Sequence, residues 1–176
     1  MEKEQFTLTI FSENNIGLLN RITDVFSRRK INIDSLTTSA SETEGIFRFT
    51  IVVETSLSNV ERIVKQLEKQ VEVLKAFFYK EDQIIHQEVA LYKISTQSLM
   101  HSKKVEQIIR ANHARILTIE PEFMVIEKTG HQSETQALFE QLKPYEILSF
   151  VRSGRIAIAK PMKRLSAYLA EVGQAL

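Results

Sequence analysis

The sequence predicts an α+β protein built from two tandem βαββαβ units. Three observations carry that expectation. Short runs such as Phe6-Thr7-Leu8-Thr9-Ile10-Phe11 and Phe47-Arg48-Phe49-Thr50-Ile51 alternate apolar and polar residues, the period of a half-buried strand. Stretches between such runs change to helical spacing, as in Leu18, Ile22, Val25 and Phe26. The same succession of element types then recurs in the second half of the chain.

Taken in order, Phe6 to Phe11 reads as a strand, with Phe6, Leu8 and Ile10 on one face. From Leu18 a helix follows, with Leu18, Ile22, Val25, Phe26 and Arg29 in register and Arg21, Asp24 and Arg28 on the wet side. Ile31 to Thr38 is β-like, placing Ile31 and Ile33 on one face and Asn32, Asp34 and Leu36 on the other. Ser41 to Gly45 is a turn, and Phe47 to Val53 is the clearest strand of the chain. Ser58-Asn59-Val60-Glu61 has the spacing of a capping box, ahead of a helix carrying Val60, Ile63, Val64 and Leu67 inward. Val71 to Tyr79 closes the unit as a strand. This β-α-β-β-α-β order is the ferredoxin-like arrangement, four antiparallel strands with two helices on one face.

Lys80-Glu81-Asp82-Gln83 is a charged break, so residues 1–79 are expected as the first domain and 80–87 as a linker. The second unit, 88–161, repeats the pattern less cleanly. Strands are expected at Glu88–Ser95, Arg115–Ile119, Phe123–Lys128, Ile147–Val151 and Ile156–Ala159. Helices are expected at Ser102–Asn112 and from the capping box Ser133–Gln136, with Ala137, Leu138 and Leu142 inward. Residues 162–176 read as an amphipathic docking tail, with Leu165, Tyr168, Leu169 and Val172 on one side.

The bulk numbers bound the function. Hydrophobic residues at 43% and charged residues at 26% are ordinary for a globular chain. A net charge of +1 gives no field that favours nucleic acid or a membrane surface. The absence of cysteine removes disulfides, thiolate metal sites and cysteine nucleophiles. Met1-Glu2-Lys3-Glu4-Gln5 has no leader pattern and no apolar run reaches the ~18 residues of a membrane span, so the expected location is cytoplasmic.

No catalytic constellation emerges. His86, His101, His113 and His131 share no metal spacing and read as exposed or loop residues. Neither GxSxG nor GxxxxGK[ST] occurs, and five glycines provide no phosphate loop. A binding site is what remains. Asn14, Asn15, Ile16, Gly17 and Leu18 form a strand-to-helix turn that presents backbone N–H groups at a helix N-terminus. Asn32 opens the next strand with an amide that both donates and accepts. Ile16, Leu18 and Ile33 are candidate apolar walls. An α-amino acid needs this mixture of carboxylate donors, an ammonium acceptor and an apolar wall. The residues serve equally well as a plain cap and an easy turn.

Resemblance decides between these readings. Phe11 to Arg21 resembles the ligand loop of ACT domains, N-x-x-G-x-L-x-R before the first helix. Phe26 to Leu36 resembles the F-S-x-R-G-Y-N-I-x-S-L segment of acetolactate (acetohydroxyacid) synthase small subunits. Lys65 to Leu74, Glu88 to Ile94 and Phe150-Val151-Arg152-Ser153-Gly154 resemble further segments of that family, in order. Lys30 stands where the family has glycine, so the turn before Ile31 is expected to be made differently; Val151 replaces an alanine.

The resemblance implies a non-catalytic regulatory subunit whose first domain is an ACT domain. It implies that the chain binds a catalytic large subunit, which carries thiamine diphosphate, magnesium and FAD; no cofactor is expected in this chain. It implies activation of acetolactate formation and feedback inhibition by valine or another branched-chain amino acid, leucine or isoleucine. It also implies a homodimer through ACT domains, with Asn14–Leu18 of one chain facing Asn32 and Ile33 of the other. The rival expectation is a free-standing ACT-domain amino-acid sensor without an enzyme partner.

Overall fold

The computed structural model describes residues 3–97 and 104–160, together with Ala167 and Ala170. The architecture is mixed α+β with two antiparallel sheets, as the periodicities require. The chain divides into two compact units: one runs to Ile85 and resumes at Arg155, the other spans His86–Gly154.

In the first unit the elements are β1 (Glu4–Glu13), α1 (Leu18–Ser27), β2 (Ser35–Ala40), β3 (Ile46–Thr55), α2 (Leu57–Leu67) and β4 (Val73–Tyr79). The strand order is β2-β3-β1-β4. Leu8 stands opposite Ile51 on one side and Phe78 on the other, so apolar residues meet across the ladder. Phe6, Leu8, Ile10, Phe49, Ile51 and Val53 form the floor of the core under Leu18, Ile22 and Phe26 of α1 and Val60, Ile63 and Leu67 of α2. The opposite face of the sheet is also closed. Thr7, Thr9, Phe11, Thr50 and Val52 are all buried there.

The expected strand at Ile31–Thr38 is corrected: pairing begins only at Ser35, with the Asp34 N–H donating to Val52 O at 2.9 Å just before it. The cause is the end of α1. Ile31 N–H donates to Phe26 O at 3.1 Å and Lys30 N–H to Ser27 O at 3.0 Å, a Schellman closure that spends four residues before extended backbone resumes. Leu36, expected on the face opposite Ile31 and Ile33, therefore packs against the same core as they do. The closure also corrects the expectation for Lys30. It takes the left-handed conformation itself, φ 55, instead of avoiding it. That conformation costs a non-glycine residue roughly 1–2 kcal/mol. Glycine would relieve it and lose part of the gain to unfolded-state entropy. Lys30→Gly is expected to stabilise the protein by about 0.5–1 kcal/mol, read as a higher urea midpoint at unchanged m. His113 repeats the device in the second unit, with φ 51 and Ala114 N–H donating to Ile109 O at 3.0 Å.

Two capping predictions shift. α2 starts at Leu57 after Ser56, two residues before the expected Ser58 box. The helix Gln132–Leu142 starts after His131, where the Glu134 carboxylate accepts the His131 N–H at 2.7 Å, two residues before the expected Ser133 box. Arg29 leaves the helix altogether and donates to Gln66 Oε1 at 2.9 Å, tying α1 to α2.

The charged break Glu81–Gln83 is one 3-10 turn, and β5 (Ile84–Ser95) follows directly. Then come α3 (Lys104–Ala111), β6 (Arg115–Ile119), β7 (Phe123–Gly130), α4 (Gln132–Leu142), β8 (Ile147–Arg152) and β9 (Ile156–Ala159). Strand order is β6-β7-β5-β8, and β9 pairs with β5. Ala90, Tyr92, Ile94, Met124 and Ile126 pack against Val105, Ile109, Leu138 and Leu142. Thr135 is fully buried on the inner face of α4, whereas Ala137, expected inward, is exposed. The first residues of the expected helix at 102–112 and the expected tail helix at 162–176 lie outside the described residues, apart from Ala167 and Ala170.

Candidate functional site

The site is built at the end of β1. Asn14, Asn15, Ile16 and Gly17 carry the chain from Glu13 into α1. Gly17 is the N-cap with φ 83, a conformation glycine adopts without strain. A Cβ there would meet nothing within 4 Å, so the backbone and not the space requires glycine. Leu18 N–H is used by Asn15 O at 3.2 Å and Arg21 N–H by Gly17 O at 3.3 Å. The Leu19 and Asn20 N–H groups between them have no residue four back within the helix to accept them. No side chain caps α1 and no acid stands in its first turn, so the positive helix end faces outward uncompensated. Asn14 therefore does not act as a plain helix cap. Asn15 Nδ2 donates to Glu13 Oε2 at 3.2 Å. Ile16 is wholly exposed, and Leu18 is in the core.

Beneath the loop lie residues that periodicity did not single out. Ser12 is fully buried, on the same face as Leu8 and Ile10, and its hydroxyl has no partner. Glu72, just before β4, accepts the Glu13 N–H through its carbonyl at 3.0 Å and pairs its carboxylate with Arg21 at 2.7 Å. The second carboxylate oxygen of Glu72 is buried without a hydrogen bond. The one sequence signal for this pair of groups was a serine at an inward position of an otherwise apolar alternation.

Asn32 and Ile33 follow the other end of α1. The Asn32 amide is exposed and donates to Asp34 Oδ1 at 3.3 Å, while Ile33 is half-buried against the core. α1 has ten residues, so its two ends are about 15 Å apart. Within one chain, the Asn14–Leu18 loop and the Asn32–Ile33 segment flank opposite ends of that helix. An α-amino acid, about 5–6 Å long by covalent dimensions, does not bridge them.

The second unit holds a denser polar centre. The buried Glu88 carboxylate accepts the Thr135 hydroxyl and stands 3.1 Å from Arg152 Nε. Arg152 Nη2 donates to Gln136 Oε1 at 2.5 Å, and the Tyr92 hydroxyl donates to Thr135 O at 2.6 Å. Burial pushes the Tyr92 phenol above its ordinary range. His86 is buried, which corrects the expectation that it is an exposed or loop residue, and its ring lies 4.6 Å from that of the exposed His131. Among the described residues no three His, Cys, Asp or Glu side chains are grouped to hold a metal. This centre joins β5, β8 and α4, a structural arrangement.

Known proteins match most of the chain. Residues 8–75 match the model of the AHAS small subunit-like ACT domain, and residues 87–161 match that of the small subunit of acetolactate synthase. The acetolactate synthase small subunit of Bacillus subtilis is 36% identical over 159 residues, 90% of this chain and 91% of that one. That of Mycolicibacterium smegmatis is 32% identical over 161 residues, 92% of this chain and 94% of its own. The crystal structure of the Thermotoga maritima small subunit superposes with a TM-score of 0.82 at 26% identity, over 91% of this chain and 99% of that one. Both units are matched, in order and nearly end to end, and this chain belongs to the family of acetolactate synthase small subunits, regulatory chains that are not catalytic by themselves.

Proposed function

We propose that this chain activates a thiamine-diphosphate-dependent catalytic subunit and transmits feedback inhibition by valine, leucine or isoleucine to it. Thiamine diphosphate, magnesium and FAD belong to that partner. The ACT domain is the effector-binding and pairing domain, and the assembly works in the cytoplasm. Among the described residues no helix is long and apolar enough to cross a membrane.

One observation carries the reading: the two halves of the candidate site flank opposite ends of α1. A two-fold axis alongside α1 brings the Asn14–Leu18 loop of one chain to the Asn32–Ile33 segment of a second. Such pairing makes two equivalent sites per dimer, each with donors for a carboxylate from one chain and an amide from the other. Magnitudes favour this over a single-chain site. A carboxylate at a helix N-terminus gains about 0.3–2 kcal/mol. Micromolar affinity needs about 8 kcal/mol. At about 25 cal/mol per Å2 the remainder requires apolar walls on both sides of the ligand, which the exposed Ile16 of one chain and Ile33 of the other supply.

The test is reconstitution. Tagged chain mixed with the catalytic subunit is expected to co-purify with it and to raise acetolactate formation severalfold, with branched-chain amino acid reversing the gain. No association and no change in acetolactate formation would leave the free-standing sensor as the correct account.

A further inference from the structure

One residue holds the closed second face of the first sheet. Arg155 lies across that face. Its Nη1 donates to Thr7 Oγ1 at 2.9 Å and its Nη2 to Gln5 Oε1 at 2.8 Å, both on β1. Its backbone N–H donates to Ser35 Oγ at 2.9 Å and its carbonyl accepts the Thr37 hydroxyl at 3.1 Å, both on β2. β1 and β2 are not neighbours, because β3 runs between them. From β3, Arg48 Nη2 donates to Ala157 O at 2.5 Å, and burial lowers the Arg48 pKa. A single residue thus ties β1, which leads into the Asn14 loop, to the first residue of β2, three positions after Asn32.

The residues just before it are held elsewhere. Ser153 N–H donates to Val89 O at 2.9 Å, and Ser153 Oγ accepts the Val89 N–H at 3.0 Å. Arg152 is fixed by Glu88 and Gln136, all within the second unit. Only Gly154, with φ 79, separates the two anchorages. The chain passes between the units at two places, within β5 and at Gly154–Arg155, and the second is this short tether.

We propose that Arg155 is the coupling residue of the regulatory subunit. Effector occupancy changes how β1 and the start of β2 are held, and Arg155 passes that change along one glycine to Arg152 and Ser153. The proposal rests on the effector reading above. It names a positioning residue, since Arg155 is on the face of the sheet away from α1 and the hydrogen bonds described above go to β1 and β2.

The experiment compares wild type, Arg155→Ala and Arg155→Lys as full chains, alone and with the catalytic subunit. Calorimetry with valine, leucine and isoleucine reads binding, and acetolactate formation reads activation and inhibition. Arg155→Ala is expected to keep the effector Kd within about threefold and to keep activation. It is expected to raise the effector concentration for half-inhibition at least tenfold. Arg155→Lys, with one donor group in place of the fork, is expected to fall between. Hydrogen exchange gives a readout without the partner: effector slows exchange at β5 and β8 amides in wild type, and this response disappears in Arg155→Ala. Inhibition of Arg155→Ala at wild-type concentrations overturns the coupling role, as does loss of binding and inhibition together, which marks Arg155 as part of the site. A wild-type chain that binds none of the three amino acids overturns the effector reading, and this proposal with it.

Discussion

Gly17→Asp is expected to weaken effector binding on the order of a hundredfold while leaving the protein folded. The two effects separate because of the geometry at Gly17. Its φ of 83 makes any side chain there cost about 1 kcal/mol. Nothing within 4 Å obstructs a Cβ, so no steric penalty is added. An acid at the N-cap of α1 offsets part of that strain through the helix dipole. Against a bound carboxylate the same charge is repulsive. At about 5 Å and an effective dielectric near 20 the repulsion is about 3 kcal/mol. Gly17→Ala shares the strain without the charge and separates the causes. It is expected to bind effector within a few-fold of wild type by titration calorimetry. Equal losses in the two variants would mean that backbone conformation, and not an anion at the helix end, sets the affinity.

The second large effect lies far from that loop. Glu88→Ala is expected to destabilise the protein by about 3–4 kcal/mol, because it leaves the half-buried Arg152 guanidinium without its carboxylate. The fully buried Thr135 hydroxyl loses one of its two acceptors in the same stroke and keeps Gln132 O at 3.0 Å. Removal of Arg152 as well is expected to recover part of the loss, since no uncompensated charge remains. A double-mutant cycle by urea denaturation reads the coupling. Additive losses would show that the two side chains are independent and that the ion pair contributes nothing.

Much of this fold was legible in the sequence, and the failures have physical causes. Strands with strict alternation, β1 and β3, were found because one face of each lies under two helices. β2 was misplaced because Ile31-Asn32-Ile33 imitates a strand while its backbone is still leaving the Schellman turn. Side-chain pattern records which residues are buried, not which backbone groups are paired. The two capping boxes slipped because the observed caps lack the expected pattern: Ser56 has Asn59, not an acid, three residues on, and the other cap is His131 paired with Glu134. Burial of the second face of the first sheet was not readable, since Thr7, Thr9 and Thr50 look like a wet face until Arg155 and the strand that follows it come back onto them.

The candidate site was legible in its parts and not in its arrangement. Asn14, Gly17 and Asn32 were singled out by residue type and by resemblance. That they flank opposite ends of a ten-residue helix follows only from the fold. In the proposed dimer one chain supplies half of each site, so effector binding and pairing of the chains would be thermodynamically linked, each strengthening the other by the same factor.

Titration calorimetry of the full chain with valine, leucine and isoleucine tests the central claim most directly, with Asn14→Ala and Asn32→Ala measured alongside. The expected result is saturable binding of at least one of the three at one ligand per chain, weakened tenfold or more by either substitution although the altered residues flank opposite ends of α1. Undiminished affinity in both variants, or no heat with any of the three amino acids, would contradict it.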